Sequence, residues 1–481
     1  MDERYSKKSV IGSAFWKVLE RGSSMCITLC VTILLARILP PESFGTVAMV
    51  NVFIALSDIF ITNGLGTALI QKKEADSLDF SSAFWTNTLV AIILYAILFV
   101  SAPFIESFYG YKSITLILRV LGLRIIISSV NAIQCAYISK NMMFRYYFYS
   151  TLIGKFLSGA IGIIMALVGL GIWALVGQSI SLILVETAIL WFGVKWRPSF
   201  TFSFERARSL YSFAWKIIFE SFVREIYKQL RALFIGKKCS AVELAYYDKG
   251  AEIPSFIMSN LEMAQRTVMF PVLSNAQDEK ERLLLICRRW VKLFSFVAFP
   301  VLIGMISVSE QLILLLLTEK WLPAVPFMQL ACITYISWIA DTPIREGIKS
   351  IGLSGVCLKI QIIESILAIV ALVLVMDYGV MYIAVAGTAC SILNILVVIS
   401  FGKKYLGYSP IDFMRDIGPS AVLALFMGCI TSFVGLLSLN ILLSLVIKII
   451  VGVISYVLLS AIFKNESFLY CLNILKAFTR R

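Results

Sequence analysis

Residues 213–235 read FAWKIIFESFVREIYKQLRALFI, a run long and apolar enough to cross a bilayer. Within it stand Lys216, Glu220, Arg224, Lys228 and Arg231, at steps of four, four, four and three. At 100° per residue these five side chains fall within roughly a third of the helix circumference. A charge at the bilayer centre costs about 2.5–3.5 kcal/mol by insertion scales, so it turns toward a partner or a wet cavity. A stripe of such charges predicts a helix that lines something polar.

The rest of the chain sets that helix in a membrane. Of the 481 residues 59% are hydrophobic and only 15% charged, and the mean hydropathy is +0.88. A soluble domain of this length needs far more polar surface. Apolar runs recur throughout and predict an all-α polytopic membrane protein. About fourteen spans are expected, near residues 11–36, 44–70, 81–105, 114–138, 144–168, 171–193, 213–236, 244–270, 290–317, 323–347, 358–376, 380–401, 417–437 and 441–463. Arg4, Lys7 and Lys8 precede the first run as in a signal peptide, but the run is too long and lacks a small-residue cleavage site. It reads as a retained span.

Charge supplies the orientation. With the N-terminus inside, the inner loops collect bases such as Lys72, Lys73, Lys140, Arg145, Arg197, Arg206, Arg282, Arg288, Arg289, Lys403 and Lys404, and the tail adds Lys476, Arg480 and Arg481. The outer loops hold little beyond Arg37, Lys112, Lys237, Lys238 and Lys320. This asymmetry predicts both termini in the cytoplasm and accounts for much of the +14 net charge. Nucleic-acid binding explains that charge poorly, because the bases are scattered over short loops. No loop can house a soluble catalytic domain. The ten cysteines sit mostly inside apolar runs, so packed free thiols are expected, with no metal site and no cofactor. The chain has no histidine, which excludes a histidine proton relay.

The chain also repeats itself. SAFWK at 13–17 resembles SFAWK at 212–216, followed by Glu20 and Glu220. PESFGTVA at 41–48 lies opposite VELAYYDK at 242–249, with Glu42, Phe44 and Gly45 against Glu243, Leu244 and Ala245. An offset of about 200 in consecutive helices predicts two parallel six-helix lobes, residues 1–200 and 201–405. Residues 406–481 are an addition of two spans and a tail. Substrate sites in such repeats lie at the repeat interface. The two repeat-opening helices are both charged: Lys17, Glu20 and Arg21 in span 1, and the stripe in span 7. If they meet, they enclose a net basic cavity fitted to a phosphate or diphosphate, with Lys17, Arg21, Lys216, Arg224, Lys228 and Arg231 as its binding groups. Span 8 adds Asp248, Lys249, Glu252, Glu262 and Arg266, a mixed set able to titrate.

Each of these charges also has a plainer reading. Lys216 and Arg231 stand near span ends and can snorkel to the interface. Glu220 and Arg224, one turn apart, can neutralise each other. Arg224, about eleven residues into the span, is the hardest to bring to water that way. Lys155 and Glu364 divide evenly between a site and helix packing, and Asp341, Arg345 and Glu346 are expected to pair among themselves.

The stretch WKVLERGSSMCITLCVTILLARILPPESFGTVAMVNVF (16–53) resembles the opening of the polysaccharide transporter branch of the multidrug/oligosaccharidyl-lipid/polysaccharide flippase superfamily. GLGTALIQ (64–71), GIWALVGQ (171–178), IGKKCSAVELAYYDKGAEIPSF (235–256), FPVLSNAQDEKERL (270–283) and EKWLPAVPFMQL (319–330) resemble it in the same order. The resemblance implies a V-shaped bundle of fourteen helices in a bacterial inner membrane. It implies export, by alternating access, of an undecaprenyl-diphosphate oligosaccharide that a polysaccharide polymerase then takes up. Coupling to H⁺ or Na⁺ would fall to Glu20, Glu220, Asp248 or Glu252. Thr62 and Asn63 stand where relatives often carry an acid, and Leu230–Arg231 where they often carry Asp-Lys; both departures make the cavity more basic. A drug exporter of the same superfamily would want an acidic, aromatic cavity. A glycan polymerase or ligase would want a sizeable outer loop with catalytic groups.

Overall fold

The computed structural model describes residues 7–435 and 440–479; Arg4, Arg480 and Arg481, counted among the inner bases, lie outside them. The side chains of residues 7–15, 18, 270 and 474–479 are not described either, which takes in most of SAFWK and Lys7, Lys8 and Lys476. The regular structure of the described residues is helical. The order is α1 (Lys7–Ile38), α2 (Pro41–Thr62), α3 (Leu65–Gln71), α4 (Ser77–Tyr109), α5 (Ile114–Lys140), α6 (Phe144–Leu167), α7 (Trp173–Gly193) and α8 (Phe204–Lys238). It continues with α9 (Ala241–Ser274), α10 (Lys280–Leu317), α11 (Val325–Tyr335), α12 (Trp338–Ser350), α13 (Ser354–Val375), α14 (Val380–Leu406), α15 (Pro410–Val434), α16 (Ile441–Ile462) and α17 (Glu466–Thr479).

Twelve segments are long and apolar enough to cross a membrane by length and composition. The two expected spans that fail the composition criterion are α8 and α9, which are 35 and 34 residues long. At 1.5 Å per residue either exceeds a bilayer core, so charge and not length sets them apart. Two expected spans are interrupted. The one near 44–70 breaks at Asn63–Gly64 into α2 and α3. The one near 323–347 follows a 3₁₀ turn at Glu319–Ala324 and breaks between α11 and α12.

Contacts divide the chain into two units, one ending at Ala245 and one beginning at Tyr246. The division falls inside α9, whereas the repeat places a boundary at 200. The reason is α8, whose packing lies against α2, α3 and α4. In the first unit α1 rests on α6, α6 on α7, α4 on α5, and α5 on α2 and α7. The capping box of α4, Asp76 with Asp79, anchors one end. Asp79 is fully buried and takes Lys72 at 2.7 Å and Arg206, from the start of α8, at 3.0 Å.

One joint recurs along the chain. α1 ends at Ile38 and α2 begins at Pro41; α8 ends at Lys238 and α9 begins at Ala241, the same two-residue elbow 200 positions later. The elbows touch. A Cβ on Gly45 would lie 1.6 Å from the Ala241 carbonyl oxygen, so only glycine permits this approach of backbone to backbone. The Ala241 N–H donates to the Tyr111 hydroxyl at 3.0 Å.

In the second unit α10 is the centre, packed by α11, α12, α15 and α16, with α14 against α11, α12 and α13. Arg288 of α10 forks onto Asp416 of α15 at 2.8 and 3.0 Å, and the Tyr408 hydroxyl donates to the same carboxylate at 2.8 Å. Helix α15 is thereby fastened to this unit, and α16 packs against α10 and α15. The ten cysteines are free thiols. Cys287, Cys332, Cys357 and Cys390 are packed as expected, but Cys26, Cys30 and Cys429 are exposed on helix faces.

Candidate functional site

Helix α8 has three faces, and the 3.6-residue period generates all of them. Ala207, Leu210, Ala214, Ile218 and Ser221 recur at three and four and are buried. Leu210, Ala214 and Ile218 join Ile59, Leu65, Leu69, Phe80 and Phe84 in one apolar cluster, with the Phe222 ring 5.3 Å from Phe60. Trp215, Phe219, Val223 and Ile226 form a second face, apolar and exposed. It suits acyl chains. Lys216, Glu220, Arg224 and Lys228 form the third, and all four are exposed. The Glu220, Arg224 and Lys228 side chains are 71%, 65% and 72% accessible. A face this charged does not tolerate lipid, so it faces water.

The pairs on that face are loose. Arg224 stands 3.7 Å from Glu220 and Lys228 3.6 Å from Glu225, both within the helix. Glu225 also accepts a 2.7 Å hydrogen bond from Gln229. Arg231 is half-buried.

On α1, Lys17 and Arg21 are exposed and Glu20 is half-buried. Sequence reading did not foresee the aromatic collar around them. The Lys17 ammonium lies 5.3 Å from the Phe144 ring, Arg145 lies over Trp16 and Tyr149 at 5.9 and 5.6 Å, and Trp16 packs on Phe148 at 5.2 Å. Amphipathic rings beside cations suit a ligand with both apolar faces and negative charge.

Behind α1 lies a chain of charges that the composition of spans 2 and 6, nearly free of them, had concealed. Lys155 of α6 reaches α1, donating to the Thr28 hydroxyl at 2.8 Å. The charged neighbours of Glu20 are Lys155, Arg21 and Lys17. Those of Glu186 on α7 are Lys155, Arg124 and Glu20. Glu186 lies so close to α6 that a Cβ on Gly154 would be 2.6 Å from its Cγ. Arg124 of α5 meets Asp58 of α2 at 3.5 Å and Ser179 of α7 at 3.4 Å. Asp58 and Glu186 are each the single ionisable residue of an apolar run, a signal that points to function by default. Lys155, evenly divided on sequence, belongs to this network.

In the second unit the mixed set of α9 resolves into pairs. Lys249 holds Glu252 at 2.7 Å, and Arg266 holds Glu262, which also accepts from Thr342 at 3.1 Å. Asp248 is exposed. Arg345 of α12 is buried between Asp341 and Glu364, 2.5 Å from each. The expected trio of Asp341, Arg345 and Glu346 is corrected here: Glu364 of α13 takes the place of Glu346, which pairs with Lys349 at 2.9 Å. Helix geometry brings residue 349 onto the face of 346, and interhelical packing brings in residue 364.

Comparison with known proteins gives concordant likenesses. The family described as polysaccharide biosynthesis protein matches residues 34–326. The teichuronic acid biosynthesis protein TuaB of Bacillus subtilis (strain 168) is 24% identical over 70% of this chain and 70% of its own. The succinoglycan biosynthesis transport protein ExoT of Rhizobium meliloti (strain 1021) is 23% identical over 87% of this chain and 83% of its own. The solved structure of lipid II flippase MurJ in an inward closed conformation aligns with a TM-score of 0.75 at 16% identity, covering 94% of this chain and 99% of that one. At that identity the last likeness concerns the fold.

Proposed function

This chain belongs to the polysaccharide biosynthesis protein family, and from that premise we propose that it is a flippase for lipid-linked oligosaccharides. Its cargo is a polyprenyl-diphosphate glycan, carried from the inner to the outer leaflet of a bacterial cytoplasmic membrane. Both termini are cytoplasmic, as the loop bases require. The lobes that rock are the sequence repeats, 1–200 and 201–405.

The observation that carries this reading is the exposed face of α8. Three cations, Lys216, Arg224 and Lys228, stand there against one acid, Glu220. An exporter of organic cations would need the opposite balance. Lys17 and Arg21 on α1, with Arg231 on α8, complete the groups that hold the diphosphate. Guanidinium and ammonium donors suit phosphate oxygens because charge-assisted hydrogen bonds are about twice as strong as neutral ones. The aromatic collar beside Lys17 receives the first sugars, and the polyprenyl tail stays in lipid.

Energy coupling has a structural candidate in Glu186, with Glu20 as its partner across Lys155. Two carboxylates, on α1 and α7, share the one Lys155 ammonium of α6, so protonating either acid releases Lys155 toward the other. Of the acids read from the sequence, Asp248 is exposed, while Glu220 stands beside Arg224 and Glu252 is held by Lys249.

In a strain lacking this gene, lipid-linked repeat units are expected to accumulate on the cytoplasmic face. Unpolymerised units gathering outside would overturn the proposal in favour of a polymerase. Complementation with Glu186→Gln, which keeps shape and removes charge, is expected to lower export about tenfold at normal protein level, equivalent to roughly 1.4 kcal/mol. Export equal to the parent would remove Glu186 from the coupling scheme.

A further inference from the structure

Helix α10 carries two adjoining hollows of opposite character. Near its start, a cavity of about 580 Å³ is lined by Arg282, Arg288, Arg289 and Lys292, with Glu466 and Tyr470 of α17 opposite. Beginning one turn further on, a groove of about 560 Å³ runs between α10, α15 and α16. Its walls include Val297, Val301, Met305, Met427, Val453 and Val457. Its charged lining residue, Lys448, is committed to the Ser307 carbonyl at 3.1 Å. Helix α17 borders both, with Ser467 and Tyr470 on the basic side and Phe468 and Cys471 on the apolar side.

The geometry points to an anionic diacyl phospholipid as the occupant, its phosphate head in the basic cavity and its acyl chains in the groove. The dimensions fit. From Arg289 to Leu312 the helix rises about 35 Å at 1.5 Å per residue, so the cavity lies at head-group depth and the groove in hydrocarbon. The charge fits as well. Arg288 is committed to Asp416 and Asp412, and Lys292 to Glu466 at 2.5 Å. Among the described residues the carboxylate paired with Arg282 is Glu279, at 3.0 Å, with both side chains 61% accessible. Arg289 has no carboxylate within ion-pair distance among the described residues; its guanidinium lies 5.3 Å from the Tyr470 ring. Arg289 and Arg282 are thus available to a phosphate. Basic pockets between transmembrane helices on the cytoplasmic side hold anionic head groups for this reason. A lipid held there would bridge α17 to α10 within the second unit.

The inference rests on the cytoplasmic placement of this end of α10, which an epitope tag at the C-terminus reports independently of lipid or export. The test is native mass spectrometry of the full-length protein in detergent. Phosphatidylglycerol and phosphatidylcholine with the same acyl chains serve as probes. Phosphatidylglycerol is expected to be retained about fivefold over phosphatidylcholine, the factor equivalent to roughly 1 kcal/mol for one base. Arg289→Gln removes that preference, and Arg282→Gln weakens it should the first variant fold poorly. Val453→Trp, which fills the groove, lowers retention of both lipids. Equal retention of the two lipids by the parent overturns the proposal. So does full displacement by millimolar inorganic pyrophosphate, which would mark a site for free phosphate. Binding of undecaprenyl phosphate in place of phosphatidylglycerol overturns it too, and would assign the cavity to the transported lipid.

Discussion

Arg345→Ala is expected to lower the stability of the folded protein by about 3–5 kcal/mol, the range for removing one partner of a buried ion pair. Arg345 is 8% accessible and stands 2.5 Å from both Asp341 and Glu364, with its Nη1 donating to the Cys357 carbonyl at 3.2 Å. Without it, Asp341 and the largely buried Glu364 lose the cation that both face. Glu364→Gln alone costs less, because Arg345 keeps Asp341. The triple replacement Asp341→Asn, Arg345→Met, Glu364→Gln is expected to recover most of the loss, since no unpaired charge remains. Thermal unfolding in detergent, followed by intrinsic fluorescence, reads all three. An Arg345→Ala variant that melts with the parent would show that the two acids are neutral in the folded state and need no cation.

That triad also marks where sequence reading stops. Asp341 and Arg345, one turn apart, were pairable by helix geometry. Glu364 belongs to α13, and nothing in a linear pattern sets α12 against α13 in register. The same holds for Asp58 with Arg124, which joins α2 to α5, and for Glu186 with Lys155, whose register across the consecutive helices α6 and α7 no linear pattern sets. The helices themselves were legible because apolar length is a local property. The charged pattern that kept α8 and α9 below the hydropathy criterion was legible too, as a stripe. The two-residue elbows at 39–40 and 239–240 stand 200 positions apart, the offset of the sequence likenesses, but the contact of Gly45 with Ala241 depends on tertiary approach. The breaks at Asn63–Gly64 and between α11 and α12 were missed, because a hydropathy window averages across them.

The stripe on α8 carries the other large effect. Arg224→Ala, expressed at the parent's level, is expected to reduce glycan export by about tenfold or more, because a hydrogen bond to a charged group contributes about 1.5–3 kcal/mol. The rival reading gives a different number. If Arg224 serves only to neutralise Glu220, the pair is exposed, 3.7 Å apart and intrahelical. Such pairs are worth about 0.2–1 kcal/mol, so the variant would fold and export nearly as well as the parent. Glu220→Gln separates the two further. On the anion-binding reading it leaves export intact or raises it, because Arg224 loses a competitor for the phosphate. On the pairing reading it matches Arg224→Ala. Arg224→Lys is expected to fall between, since it keeps the charge and loses the planar fork that grips two phosphate oxygens at once. Lys17→Ala tests the proposed diphosphate site from α1. If it and Arg224→Ala both export as the parent does, the α8 face is a solvated surface and the diphosphate binds elsewhere.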